Sequence, residues 1–128
     1  MMLNGFKSFN FNEGAPYVSV TKNGVTFNRS VIMKLNYPEY VCLLINAETK
    51  QIAVQVSTKE TENSTVFCTP EKRISKVLSV RWNGRDLLNT LKDITGWELS
   101  NYGYRIEGKY LQEDNAVLFD LNLATPLY

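Results

Sequence analysis

The chain has 128 residues, with 14 basic side chains, 13 acidic side chains and no histidine. Because a domain typically takes ~150 residues, we expect a single domain over residues 1–128. An apolar share of 44% and an aromatic share of 12% exclude a disordered or fibrous chain. The net charge of +1 excludes bulk attraction to nucleic acid or membrane, so any basic surface must be local.

The absence of histidine restricts the catalytic and metal-binding chemistry open to the chain, because imidazole is the usual proton carrier near neutral pH and the commonest metal ligand. Cys42 and Cys68 form no CxxC pair, so no zinc site of thiolates and imidazoles is expected. We predict two buried thiols and favour them over a disulfide. The sequence thus predicts a non-enzymatic protein without catalytic residues, metal or cofactor.

No apolar run in the sequence reaches the ~18 residues of a membrane span. The first residues also lack the charged start and apolar stretch of a secretory signal. We therefore expect a cytoplasmic protein with no membrane contact.

The first half of the chain predicts two hairpins separated by a short helix. An N-terminal arm, residues 1–16, carries Phe6, Phe9 and Phe11, which are expected to pack on the body. Strand-like residues 17–20 and 25–27 flank an Asn-Gly turn, a strong hairpin signal. Asn28 is a good cap for a helix that must end before Pro38. Residues 40–45 and 51–56 then predict the second hairpin.

The second half predicts a linker, a strand, a longer helix and a third hairpin. Residues 57–76 are interpreted as the linker, with a short strand at 66–68 that Pro70 ends. A strand over 76–81 leads into an Asn-Gly turn. Leucines and isoleucine at helical spacing predict a helix over 85–95, ended by Gly96. Residues 104–110 and 117–121 then flank a polar tip over 113–115.

The two halves share a local pattern. SVTKNG at 19–24 and SVRWNG at 79–84 agree at four of six positions, and each is followed by a candidate capping asparagine, Asn28 or Asn89. The shared order predicts a duplicated strand–turn–helix–hairpin unit over 17–56 and 77–121. The expected fold class is α+β, with antiparallel strands and two short helices.

The sequence VSVTKNGVTFNRSVIMKL at 18–35, continued by the hairpin at 40–56, resembles the AbrB/MazE/SpoVT family of swapped-hairpin DNA-binding domains. Lys22-Asn23-Gly24 stands at the family's basic–glycine position, and Val25 and Phe27 stand at its alternating apolar pair. The resemblance implies DNA binding and transcription regulation. Two such units in one chain would form a pseudo-dimer that completes one barrel.

The sequence departs from the family pattern at three places. Asn28 stands where a proline is usual, and Ile32 stands where the helix usually presents an arginine. Pro38-Glu39-Tyr40 replaces the usual glycine-containing turn. The resemblance therefore implies the architecture more strongly than the DNA contacts.

A basic run predicts where phosphate would be held. Five cations and no acid lie between residues 72 and 85, with an aromatic among them, and two more cations flank the first turn. Cations beside an aromatic residue can hold phosphate and stack a base. The alternative is that the cations belong to a solvated loop and the aromatic residue packs in the core. The candidate nucleic-acid-binding residues are Lys22, Arg29, Lys72, Arg73, Lys76, Arg81, Trp82 and Arg85.

Two other classes of function stay open at this point. A protein-interaction module would use a tyrosine-rich sheet or the phenylalanine arm, and the chain could be a monomer or a homodimer. The tyrosines concerned are Tyr37, Tyr40, Tyr102, Tyr104 and Tyr110. An enzyme is less favoured, because it would need a cleft around acids and tyrosines such as Asp86, Asp93 and Tyr104. The expected partner is DNA or RNA, with a protein as the alternative.

Overall fold

The computed structural model describes residues 4–5, 14–74 and 79–127, and for Arg73 it describes the backbone alone. These ranges contain nine strands, three α-helices and a 3-10 turn over Leu121–Leu123. The helices are α1 (Arg29–Lys34), α2 (Pro70–Ile74) and α3 (Arg85–Thr95). The strands are β1 (Tyr17–Thr21), β2 (Gly24–Phe27), β3 (Tyr40–Asn46), β4 (Gln51–Ser57), β5 (Thr65–Val66), β6 (Val80–Trp82), β7 (Tyr104–Leu111), β8 (Ala116–Asp120) and β9 (Thr125–Pro126).

All nine strands belong to one antiparallel sheet. Its order is β5-β3-β4-β8-β7-β1-β2-β6, and β9 pairs with β7 beside this path. The hairpins β1–β2, β3–β4 and β7–β8 are the three that the sequence predicts. The α+β class with antiparallel strands is therefore confirmed.

The sheet curls into a half-barrel, so that its two end strands approach each other. The Trp82 indole N–H of β6 donates to the Val66 carbonyl of β5 at 3.3 Å. Strand β7 serves both halves of the curl: its first half pairs with β1 and its second half with β8. Gly108 is the residue at which the pairing of β7 changes from β1 to β8. A Cβ at this position would lie 2.5 Å from the Val117 side chain. Only glycine gives the inner side chains of β8 room at this bend.

The core lies on the inner side of the curl and centres on Phe27. This ring is fully buried and lies 4.9 Å from Trp82, 5.5 Å from Phe67 and 5.9 Å from Phe119, measured between ring centres. Alternation along each strand places the valines and isoleucines on the same inner side. The outer side of β1, β2 and β6 consequently carries the polar residues.

Helix α1 begins and ends where its sequence allows. The Asn28 side-chain oxygen accepts from the backbone N–H of Val31, which confirms the predicted cap. The helix ends in a Schellman arrangement: the Tyr37 N–H donates to the Ile32 carbonyl, and the Asn36 N–H to the Met33 carbonyl. Asn36 takes a left-handed φ of 61° there. The helix thus stops through its own C-terminal hydrogen bonds, before Pro38.

Helix α3 has the bounds that the leucine spacing predicts. It ends at Gly96, which has a φ of 77° and donates its N–H to the Lys92 carbonyl. Its N-cap is Gly84, whereas Asn89 lies inside the helix. The prediction of Asn89 as a cap is therefore wrong, because the helical leucine spacing already begins at Leu87.

The prediction of two helices is also wrong, because α2 is a third helix within the segment interpreted as a linker. Thr69 accepts from the Lys72 N–H at 3.3 Å, and Pro70 occupies the first helical position. Proline is favoured at that position, since its fixed φ suits the first turn. Pro70 thus begins a helix instead of ending a strand. In place of the strand expected over 66–68, the structure has the two-residue strand β5, Thr65–Val66.

The second half of the chain does not repeat the first half strand for strand. After Asn23-Gly24 the chain forms β2, whereas after Asn83-Gly84 it enters α3 directly. Strand β6 begins at Val80, and residues 75–78 of the expected strand lie outside the described residues. The shared features are a strand, a helix and a closing hairpin, without the swapped-hairpin detail.

Both cysteines, Cys42 and Cys68, are buried thiols that form no disulfide, as predicted. None of the helices in the described ranges is long and apolar enough to cross a membrane. The arm phenylalanines Phe6, Phe9 and Phe11 lie outside the described residues.

Candidate functional site

A row of polar side chains crosses five strands on the outer side of the sheet. Strand register places Arg81 opposite Thr26, Thr26 opposite Ser19, Ser19 opposite Arg105 and Arg105 opposite Thr125. We call these five residues the arginine row. Adjacent strands lie about 4.8 Å apart, so the three spacings from β6 to β7 put the backbones of its two arginines about 14 Å apart. Arginine and hydroxyl groups are common partners of phosphate oxygens.

Arg29, the first residue of α1, lies beside one end of the arginine row. Arg29 and Arg81 line the same hollow of about 340 Å³, which we call the outer hollow. Its other lining residues are Tyr17, Ser19, Thr21, Thr26, Asn28 and Ser79, so among the residues that the structure describes no acidic side chain lines it. The Arg81 Nε donates to the Thr26 hydroxyl at 3.2 Å, which holds the guanidinium across the sheet. Two of the predicted phosphate-binding residues are therefore brought together here.

Arg105 completes the arginine row and was missed from the sequence. Its guanidinium carbon lies 3.6 Å from the centre of the Tyr17 ring, a cation–π contact across the β1–β7 pair. Alternation along β7 places Arg105 on the outer side, with Glu107 two residues further on. That alternation is visible in the sequence, but the pairing of β7 with β1 is not.

Lys22 and Arg85 occupy a different place from Arg29 and Arg81. With Lys92 they line a hollow of about 450 Å³ between the β1–β2 turn and α3, which we call the helix hollow. Leu88 and Leu99 form its apolar side. The predicted cations thus fall into two groups on neighbouring surfaces.

Of the remaining predicted cations, Lys72 is the one whose side chain the structure describes. The Lys72 Nζ donates to the Ser79 carbonyl at 3.1 Å, so this ammonium stabilises the entry into β6. The side chain of Arg73 and the whole of Lys76 lie outside the described part of the chain.

Trp82 packs, which is the alternative that the sequence analysis left open beside base stacking. Its ring lies edge-on to Phe27 at 4.9 Å and to Phe67 at 5.9 Å, and its N–H is taken by the Val66 carbonyl. The indole is half-buried in these contacts.

The residues of the two rival interpretations are spread over the molecule. Tyr37, Tyr104 and Tyr110 pack against the core, Tyr40 is half-buried, and Tyr102 is exposed. Tyr104 also stacks on Trp97, with ring centres 4.4 Å apart. Asp86 and Asp93 are exposed on α3. The five tyrosines therefore do not present one common contact surface.

Glu98 lies two residues before Ser100 of the helix hollow, and its pKa departs from the ordinary glutamate value. The Ser100 side chain and backbone N–H both donate to it, and these hydrogen bonds lower the pKa of Glu98, with a smaller contribution from the positive charge of Lys92. Both donors stabilise the ionised form.

Replacing Ser100 by alanine is expected to raise the pKa of Glu98 toward the ordinary glutamate range. Because the folded-state pKa is lowered, the ionised group favours the folded chain above its unfolded pKa, and this contribution is lost as the pH falls through the folded pKa. Carboxyl NMR titration of the wild type and S100A measures the change. S64A, a serine replacement at a distant turn, should leave the Glu98 curve in place, and an unchanged curve in S100A would contradict the assignment.

Within the described ranges there is no group of three or more carboxylate, thiol or imidazole side chains that could hold a metal ion. In the comparisons with known proteins, no family model, curated protein or solved structure matches the chain. The candidate site consequently depends on its own geometry.

Proposed function

We propose that the chain is a non-enzymatic nucleic-acid-binding protein of the regulatory kind, which contacts the phosphate backbone of DNA or RNA through the arginine row and the outer hollow. The observation that carries this proposal is the placement of Arg29, Arg81 and Arg105 on one side of the sheet. Hydroxyl groups lie between them, and within the described ranges 14–74 and 79–127 no acid lines the outer hollow. Because the net charge of the whole chain is only +1, this local concentration of arginines does not follow from a generally basic composition.

The proposed contacts are with backbone phosphates, not base edges. Strand residues at the outer side are spaced by the sheet, and a guanidinium donates in a planar fork that matches phosphate oxygens. The resemblance of residues 18–35 to the swapped-hairpin DNA-binding domains supports the same class of ligand. The proposed contacts are therefore Arg81 of the basic run, Arg29 of α1 and Arg105 of β7.

Arg81→Gln is expected to weaken oligonucleotide binding and to flatten its salt dependence. Three phosphate contacts predict a slope of log K against log salt of about −2 for a single strand, and each lost contact removes about 0.7. Fluorescence anisotropy with labelled single- and double-stranded oligonucleotides, at several salt concentrations, measures both quantities.

Lys59→Gln is the matched control, because it removes one positive charge from an exposed turn of the 57–64 connection, away from the arginine row. It should reproduce the wild-type slope. The proposal fails if wild-type protein on the order of micromolar shows no binding at low salt. It also fails if the two variants lose affinity equally, because net charge alone would then explain the effect.

A second candidate function is protein binding, and one observation favours it. In β3, Leu44 and Ile45 are 46% and 41% exposed; Leu44 lies on the outer side opposite Ala53, Ile45 lies on the other face opposite Ile52, and with Ala53 and Leu118 they line a shallow hollow of about 220 Å³. Exposed neighbouring apolar side chains on a sheet are typical of contact surfaces. If oligonucleotides do not bind while sedimentation shows self-association that Leu44→Ser abolishes, this second function is favoured.

A further inference from the structure

The helix hollow is a second concave site, made by elements that are far apart in the chain. Lys22 reaches it from the β1–β2 turn, Arg85 from the first turn of α3, and Lys92 from two turns further along that helix. Three cations converge on one hollow of about 450 Å³, a volume within the range of small-molecule sites. In the part of the chain that the structure describes, none of its lining residues is acidic.

The carboxylates close to the helix hollow leave this excess of positive charge in place. Glu98 is held by Ser100 and interacts with Lys92, and Asp86 follows Arg85 in the helix, yet neither carboxylate lines the hollow. Lys22 belongs to the β1–β2 turn, far in the chain from the segment that carries these two acids. An anion entering the hollow therefore meets Lys22 and Arg85 directly.

The cations of the helix hollow favour an anionic ligand, whereas its leucines favour an apolar group. Leu99 is only 3% exposed and Leu88 is half-buried, and together they give the hollow an apolar surface. Asn83 and Asn89 add amide groups, which both donate and accept hydrogen bonds. A bare phosphate would use the cations and leave the leucines and amides without a partner. The lining thus matches a ligand that joins an anionic group to a flat, partly polar body.

We propose that the helix hollow binds a phosphate monoester with a heterocyclic body, of the size of a nucleoside monophosphate. The phosphate is held by Lys22 and Arg85, with Lys92 adding charge. The ring lies against Leu88 and Leu99, and the asparagine amides contact its polar edge. This site is separate from the arginine row and does not depend on the proposed function.

The two sites are separated by the first turn of the sheet. Gly24 stands between them: a Cβ added there would lie 3.2 Å from the Cα of Asn83, in the helix hollow, and 3.3 Å from the Cγ of Arg81, in the outer hollow. Substitutions at Arg85 and Arg81 consequently report on different surfaces.

Leucine-methyl NMR of the full chain, titrated with adenosine monophosphate, tests the proposal. We expect saturable shifts of the Leu88 and Leu99 methyl groups, and weaker effects with adenosine alone or inorganic phosphate alone. Arg85→Gln should weaken binding of adenosine monophosphate about tenfold, the size expected for one lost charge-assisted hydrogen bond. Lys22→Gln, in an exposed turn, gives a second variant should Arg85→Gln disturb folding, and Lys59→Gln is the charge control.

Three outcomes would overturn the proposal: no shift at Leu88 and Leu99, inorganic phosphate binding as tightly as the nucleotide, or equal affinities in Lys22→Gln and Lys59→Gln. Because the readout is the methyl groups of two leucines outside the arginine row, failure of this proposal is distinguishable from a failure of oligonucleotide binding.

Discussion

Phe27→Ala is expected to lower the free energy of unfolding by about 3–5 kcal/mol. The Phe27 ring is fully buried and touches three other aromatic rings, so its removal leaves a cavity that no flexible neighbour can fill. The loss combines the burial of the ring with the edge-to-face contacts to Phe67 and Trp82. Urea denaturation followed by tryptophan fluorescence measures it, because Trp82 reports on the same cluster.

Leu123→Ala provides the control for this substitution. Leu123 is 71% exposed in the 3-10 turn, so its truncation should change the free energy of unfolding by less than about 0.5 kcal/mol. A loss below about 1 kcal/mol for Phe27→Ala would contradict the position of this ring at the centre of the core.

Gly24→Ala should lower the free energy of unfolding by about 2–4 kcal/mol, through backbone strain and a close contact together. Gly24 has a φ of 140°, a conformation that residues with a side chain rarely adopt. A Cβ at this position would also lie 2.6 Å from the Trp82 carbonyl oxygen, which is backbone and cannot turn aside. The β2–β6 pair would therefore have to separate.

Gly84→Ala is the matched control, because it changes the glycine of the other Asn-Gly pair. Gly84 has an ordinary φ of −64°, and a Cβ there meets no atom within 4 Å. Thermal and urea unfolding of both variants should show a cost of at most about 1 kcal/mol for Gly84→Ala, from its place at the helix cap. Equal losses in the two variants would contradict the contrast between the turns.

These two glycines show what the sequence could and could not predict. The hexamers around them agree at four of six positions, which suggested a repeated unit. The residues that follow decide the structure: Val25 and Phe27 alternate as in a strand, whereas Leu87, Leu88 and Leu91 follow helical spacing. The local pattern after each turn was thus a better guide than the similarity of the turns.

Local signals predicted the elements well where they depend on neighbouring residues. The cap at Asn28, the left-handed Gly96 and the three hairpins all follow from contacts within a few residues. Helix α2 has a signal of the same kind, a threonine cap before Pro70, but a proline after a short apolar run is equally typical of the end of a strand.

The candidate site was predictable only in part, because it is assembled by distant pairings. Arg81 and Arg29 were identified, but their meeting depends on β2 pairing with β6 across more than fifty residues. Arg105 reaches the same surface only because β7 pairs with β1, and strand register over such separations is set by the whole core. The same topology places Lys22 and Arg85 in the helix hollow, and Arg29 and Arg81 in the outer hollow.

The approach of the two end strands has a further consequence for the dynamics of the molecule. β5 has two residues and β6 has three, and the bond between them comes from the Trp82 side chain. The two end strands of the half-barrel are therefore joined through an indole and not through a peptide ladder. We expect local opening to begin at this contact, because it breaks a few side-chain contacts and leaves the long central ladders intact.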